Sequence, residues 1–268
     1  MSACPASENS AALPAWVFYL RLMRPPDAAF ADPAQAVLYD LLDPDRSDLE
    51  AYVAIARDVA ARRVVDVGCG TGCLALMLAD HGMQVVGVDP VAASIDVART
   101  KAGAERVSWV VGDATALEPG TQADLVVMTG NVAQVFVSDE DWHCTLAAVV
   151  DVLRTGGWFV FETRRPEARA WENWDLAPTD ITLPDGRRAR VSRSVTSADL
   201  PLVMFDEAIV LGDEVLHSRS TLRFRERDEV EADLQRHGFS LIEVRQAPDR
   251  PGQEFVFLAR LKGSEAPV

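Results

Sequence analysis

Between Val64 and Gly72 the chain reads VVDVGCGTG: three glycines alternate behind a run of valines that one aspartate interrupts. Glycine accepts positive φ and carries no Cβ, so Gly68, Gly70 and Gly72 suit a tight strand-to-helix turn against which a cofactor can lie. A dinucleotide fingerprint, G-x-G-x-x-G, would need its third glycine at position 73, and that residue is Cys73. The G-x-G-x-G spacing therefore argues against a pyrophosphate seated on the helix N-terminus. Asp66 lies among apolar neighbours, where a carboxylate is costly unless something bonds to it. A second valine-rich run, VVGVDP, ends in Asp89 and Pro90, 19 residues beyond Gly70. A carboxylate at a strand tip can accept hydrogen bonds from both hydroxyls of a ribose. A third run, VSWVVGDATAL, ends in Asp113 and Ala114.

These residues need a scaffold, and the pattern around them supplies one. Short β-branched runs recur at Val64–Val67, Gln84–Val88, Val107–Val111, Asp124–Met128 and Trp158–Phe161. Helical stretches fall between most of them, at Cys73–His81, Val91–Ala102 and Asp139–Leu153. Near-continuous valine strands alternating with helices predict a parallel sheet buried on both faces. Gly103 and Gly156 stand where helix C-caps are expected. Ahead of the sheet, Pro14–Met23 and Ala34–Leu42 read as helices, and SDLE at Ser47–Glu50 as a capping box opening a helix to about Ala60. After Arg164 the pattern becomes antiparallel. Asp185-Gly186 and Gly212-Asp213 mark hairpin turns, with strands at Leu202–Leu211 and Glu214–Arg225. A helix over Asp228–His237 and two strands, FSLIEVR and EFVFLARL, close the chain.

The ordered motifs between Arg62 and Thr163 resemble those of class I S-adenosylmethionine-dependent methyltransferases: VVDVGCGTG, VVGVDP, VSWVVGDATAL, ADLVVMTGN and LRTGGWFVFET. The resemblance implies an α/β, Rossmann-like, doubly wound, mostly parallel seven-stranded sheet with an antiparallel β lid and a helical N-terminal extension. The expected divisions are residues 1–60 (helical cap), 61–163 (cofactor core), 164–227 (lid) and 228–268 (last helix and two core strands). It implies S-adenosylmethionine as cofactor, with Asp66, Gly68, Cys69, Gly70, Thr71 and Gly72 around the methionine end, Asp66 having the alternative of a purely structural role for the loop, and Asp89 and Pro90 at the ribose. Asp113 and Ala114 would meet the adenine, Asp113 having the alternative of a plain turn residue. Thr129 and Gly130 would line the cleft, and Tyr39 is the N-terminal residue placed nearest it. A binding protein that keeps the fold without turnover, and a nicotinamide-dependent oxidoreductase, are the competing readings.

Methyl transfer is an in-line displacement, so positioning and water exclusion carry much of the rate. A hydroxyl acceptor benefits from a general base, whereas an amine can lose its proton to solvent. Glu162, at the tip of the fifth strand, is the first candidate base, with His143 and His217 behind it. Asn131 either orients a polar group of the acceptor or caps its own turn. The end of the fourth strand, MTGNVAQVF, lacks the asparagine or aspartate, two prolines and aromatic that amino methyltransferases of nucleic acids place there. With a formal net charge of −15, this makes nucleic acid a poor partner and a small-molecule metabolite or natural product the expected one. Trp171 and Trp174 could wall the acceptor or simply pack the lid onto the core. Cys69 and Cys73 are followed by no second pair, and no metal is expected. No signal peptide pattern or membrane-length apolar run is visible, so a cytoplasmic monomer or homodimer is expected. Whether oxygen, nitrogen, carbon or sulfur is methylated stays open in the sequence.

Overall fold

The computed structural model describes residues 33–263; the expected helix over Pro14–Met23 lies outside them. Helix α1 spans Pro33–Leu42 and α2 spans Glu50–Asp58. The core then alternates β1 (Arg63–Val67), α3 (Cys73–Asp80), β2 (Gln84–Asp89), α4 (Ala92–Thr100), β3 (Val107–Val111), β4 (Ala123–Met128), α5 (Asp139–Val152) and β5 (Leu153–Arg164). Four strands follow, β6 (Leu176–Thr182), β7 (Arg188–Asp199), β8 (Leu202–Leu211) and β9 (Glu214–Arg223). Helix α6 (Arg227–Arg236) leads back to β10 (Phe239–Arg245) and β11 (Glu254–Leu261). The seven-stranded sheet runs β10-β11-β5-β4-β1-β2-β3, with β11 antiparallel to both neighbours and the other pairings parallel.

The central strands are buried on both faces, which is why β1, β2 and β4 read as near-continuous apolar runs, while the edge strands β3 and β10 are partly exposed. Along β4, Leu125 and Val127 join the core under α2 and α3, while Val126 and Met128 join the core under α5 and α6. The same two-residue period along β5 puts Val160 on the α2 face and Phe159 and Phe161 on the other. Glu162 and Arg164 continue the Val160 series, so strand geometry alone sends them toward α2. Helix α5 begins where its sequence directs: Ser138 accepts from the Asp141 N–H at 3.0 Å, and Asp139, Glu140 and Asp141 fill the first turn.

Two local expectations are corrected. Ser47–Leu49 forms a 3₁₀ turn, and α2 opens at Glu50 with no side-chain cap. Asp45 accepts from the Ser47 N–H at 3.0 Å, an Asx-type turn that competes with the capping box. Gly156, with φ +75°, lies inside β5, which begins at Leu153 directly after α5.

The lid is a separate antiparallel sheet, ordered β6-β7-β8-β9. Its strands set residues in rows across one face. Val191, Ile209 and Leu216 form an apolar row that packs with Leu38 of α1. Two residues along, Arg193, Glu207 and Ser218 form a polar row. The next row, Val195, Phe205 and Ser220, lies near Trp174.

Candidate active site

The strand order reverses between β1 and β4, and the C-terminal ends of β1, β2 and β4 converge there, the crevice where open α/β sheets bind ligands. The glycine loop is pinned to β2: Gly68 and Cys69 donate to the Val88 carbonyl at 2.8 and 3.1 Å. The Gly70 N–H donates to Asp89 Oδ2 at 2.9 Å, and the Val91 N–H to Asp89 Oδ1 at 2.8 Å. Gly68 has φ +71°, and a Cβ there would lie 2.6 Å from Val132. Gly70 has φ +53°, and a Cβ there would meet nothing within 4 Å, so this stretch of backbone faces open space.

Asp66 sits beneath the loop at 1% exposure, with neither carboxylate oxygen hydrogen-bonded. Burial, and then the charge of Asp89, pushes its carboxyl up to about 7; the Ala75 N–H, outside hydrogen-bonding geometry, offsets only part of this. Burial also raises Asp89, against its two N–H donors, and raises the Cys69 thiol well above its usual range, with Asp66 and Asp89 adding to it. The orphaned carboxylate beside an open glycine backbone fits a ligand that brings positive charge and hydroxyl donors, and repels a pyrophosphate.

The remaining cofactor candidates frame this loop. Thr71 is buried, and its hydroxyl donates to Asp40 of α1 at 2.6 Å. Gly72 caps α3, and Pro90 is exposed. Asp113 accepts from the Thr115 N–H at 2.7 Å, so its turn role is realised, and Ala114 is buried behind it. Val111, 46% exposed, offers an apolar surface beside Asp113. Thr129 is half-buried, and Gly130 is exposed, with open space where a Cβ would stand. Tyr39 is 41% exposed on α1, beside Arg46.

Past Gly130 the chain turns through Asn131, at φ +60°, into a 3₁₀ turn over Val132–Gln134. A buried polar network fixes this turn. Glu162 accepts from the Asn131 N–H at 3.1 Å through Oε1 and from the Tyr52 hydroxyl through Oε2. Asn131 Nδ2 donates to Glu254 Oε1 at 2.8 Å, and Arg250 pairs with the same carboxylate at 2.9 Å. Arg164 donates to Gln134 Oε1 at 2.9 Å and lies over the Trp174 ring. Glu162 is 2% exposed and Glu254 fully buried; burial, then the charge of Glu254, raises the Glu162 carboxyl. With both oxygens engaged, Glu162 has the geometry of a strut under the β4 turn, and the Asn131 side chain, which makes no cap bond to its own turn, is tied to Glu254 instead. We expect Glu162→Gln to lower stability by about 1–3 kcal/mol, because it places an amide against two buried donors. Combining it with Tyr52→Phe should add less than the sum of the single losses in urea unfolding; full additivity would show that the two side chains are not coupled.

The structure does not bring every candidate here. His143 faces α6, with Nδ1 3.2 Å from His237 Nε2 and Arg236 3.0 Å from its Nε2. His217 is exposed on the opposite face of the lid from the Arg193 row. Trp171 is buried against Phe224 and Val203 as packing, whereas Trp174 is half-buried between Arg164 and Phe205. Asp40, Tyr52, Glu254, Arg250, Arg193 and Glu207 were not singled out by motif. Acids embedded in apolar strands, as in WFVFET and EFVFLARL, were the available signal for Glu162 and Glu254. Among the described residues no group of three or more His, Cys, Asp or Glu could hold a metal ion. No helix among them is long and apolar enough to cross a membrane.

This fold is a doubly wound α/β sheet with an open crevice at the switch between β1 and β4. Residues 64–157 match the family model of the methyltransferase domain. A cypemycin N-terminal methyltransferase of Streptomyces sp is 29% identical over 174 residues, 64% of this chain and 70% of the relative. Among solved structures, an S-adenosylmethionine-dependent methyltransferase of Clostridium acetobutylicum superposes with TM-score 0.70 at 17% identity, covering 85% of this chain and 98% of that one. A sugar N-methyltransferase of Streptoalloteichus sp gives 0.69 at 16% identity, covering 98% and 99%. Together these likenesses support a class I S-adenosylmethionine-dependent methyltransferase, with the family's domain at residues 64–157 and S-adenosylmethionine as its cofactor.

Proposed function

We propose that this enzyme methylates an amine on a small, hydroxyl-bearing molecule held between the glycine-loop crevice and the lid. The observation that carries this reading is the polar row on the lid. Arg193 and Glu207 pair at 2.7 Å and stand beside Ser218, between a row packed on α1 and a row near Trp174. Because each charge in that row already has its partner, an anion would have to displace Glu207 from Arg193. A neutral hydroxyl can accept from the guanidinium and donate to the carboxylate at once. The half-buried Trp174 and Phe205 rings, 5.4 Å apart, add an apolar wall for a ring.

S-adenosylmethionine supplies an electrophilic methyl group on a sulfonium. The chain's own contribution is placement. The loop around Gly70 gives the cofactor a backbone to lie against, Asp89 accepts from its ribose, and Asp66 provides a negative charge under its cationic end. Asp113 and Ala114 stand at the adenine side, and Thr129 and Gly130 at the turn past which the acceptor enters. Nitrogen is favoured over oxygen because the Glu162 carboxylate is sealed and His143 faces α6, so neither supplies the base a hydroxyl acceptor would use. The sugar N-methyltransferase likeness is consistent with such an acceptor.

The test is transfer of labelled methyl from S-adenosylmethionine to a panel of amino sugars, their hydroxyl analogues and transfer RNA. Label on the amino sugars, lost when hydroxyl replaces the amine and reduced about tenfold in Glu207→Gln, is the expected result. Label on RNA with none on small amines would overturn the proposal.

A further inference from the structure

Helix α1 touches both the cofactor loop and the lid, and it does so with opposite sides. Leu38, Leu41 and Leu42 fall at i, i+3 and i+4 on one face and pack with Ile209, Leu216 and Ala189 of the lid. Asp40, two residues and about 200° around from Leu38, leaves that face and turns to the core. Its Oδ1 accepts from the Thr71 hydroxyl at 2.6 Å, inside the glycine loop, and lies 3.5 Å from Cys73 Sγ. Its Oδ2 pairs at 2.5 Å with Lys101, which follows α4. One carboxylate thus binds the start of α3, the end of α4 and the cofactor loop, from a helix whose other face supports the lid.

We propose that Asp40 is a positioning residue that transmits the state of the cofactor loop to the acceptor lid through α1. The physical path has three steps. A cofactor that orders Gly68–Gly72 fixes the Thr71 hydroxyl. Fixing that hydroxyl, with the Lys101 pair, holds Asp40 and so sets the position of α1. The apolar face of α1 then fixes Ile209 and Leu216, one row away from Arg193, Glu207 and Ser218. The lid row meets its acceptor in a defined place only after the cofactor loop is filled, which orders binding as cofactor first. This rests on the cofactor assignment and not on the identity of the acceptor.

The test uses S-adenosylhomocysteine as probe and the full chain. Calorimetry reads its affinity, and amide hydrogen exchange reads β8 and β9 with and without it. In the wild type the probe is expected to slow exchange at β8 and β9 by about fivefold or more. In Asp40→Asn and Thr71→Val that slowing should fall below about twofold, while exchange of the ligand-free lid changes little. A merely structural Asp40 would speed lid exchange equally in both states. By reciprocity, Leu38→Ala, on the lid side of α1, should weaken the probe about fivefold although it lies on the face turned away from Asp40. Thr71→Val leaves α1 unchanged, so it carries the test if Asp40→Asn fails to fold. Probe binding with unchanged lid exchange in the wild type, or full slowing retained in Thr71→Val, overturns the coupling alone. No binding of the probe to the wild type would remove the cofactor assignment and the coupling with it.

Discussion

Asp66→Asn is expected to stabilise the ligand-free protein at pH 8 while weakening its hold on the cofactor. Asp66 is buried and its oxygens are unpaired, so its ionised form is penalised in the fold. Its carboxyl is pushed up to about 7, against about 3.9 for an unfolded aspartate. Below the unfolded value both states hold the proton and nothing is lost. As pH rises, the unfolded chain ionises first, so stability falls progressively until the folded carboxyl ionises near 7. The full cost is about 4 kcal/mol at pH 8. Asparagine removes the charge but leaves a buried amide, so the net gain should be about 1–3 kcal/mol at pH 8 and should vanish near pH 4. Thermal unfolding of the two proteins at both pH values checks this; an equal difference at both would show that the charge is not the cause. The cofactor side has the opposite sign. A cationic ligand favours ionised Asp66, so wild-type affinity should rise with pH between about 6 and 8, with proton release on binding. Both the pH slope and the release should disappear in Asp66→Asn, whose affinity at pH 8 should be lower by about tenfold or more.

How much of this could be read from the chain depends on whether the controlling physics is local. Strands β1, β2 and β4 are legible because a strand buried on both faces must be apolar throughout, and the hairpins because Asp185-Gly186 and Gly212-Asp213 supply the turn conformations. The glycine loop is legible for the same reason: the backbone itself demands those residues. The polar network is not legible in that way. Glu162 meets Tyr52 across 110 residues, and Asn131 meets Glu254 across 123, pairings set by strand order and not by spacing. Glu162 read as a free base at a strand tip because tip position is visible in the sequence and a partner on α2 is not. Asp40 is not legible beside Tyr39, because an aspartate on a short helix reads as a solvated face until the helix is placed. Even SDLE shows the limit: the motif is present, and Asp45 two residues ahead redirects the turn.

Asp89→Ala should have the largest effect on cofactor affinity. The carboxylate spans Gly70 and Val91 through one oxygen each, and each oxygen keeps a lone pair for a ribose hydroxyl. Alanine removes both acceptors and releases the loop from β2. Hydrogen bonds to a charged group contribute about 1.5–3 kcal/mol apiece, so losing two predicts a fall in affinity of about 100-fold or more. Calorimetry with S-adenosylhomocysteine measures it, and unchanged affinity would sink the assignment of Asp89 to the ribose. The loss should differ in kind from that of Asp66→Asn. Ribose contacts are the same before and during transfer, so the cost should appear in KM for S-adenosylmethionine, with kcat at saturation within about threefold of wild type. Because the charge of Asp89 helps push the Asp66 carboxyl up, the pH dependence of affinity should also move to lower pH in Asp89→Ala. Asp89→Asn separates acceptor from charge: it keeps one acceptor oxygen but points an N–H₂ toward either the Gly70 or the Val91 N–H, so its affinity should lie between the other two. If Asp89→Asn instead matches wild type, the ribose needs only one acceptor there, and one of the two tethers, to Gly70 or to Val91, is dispensable for binding.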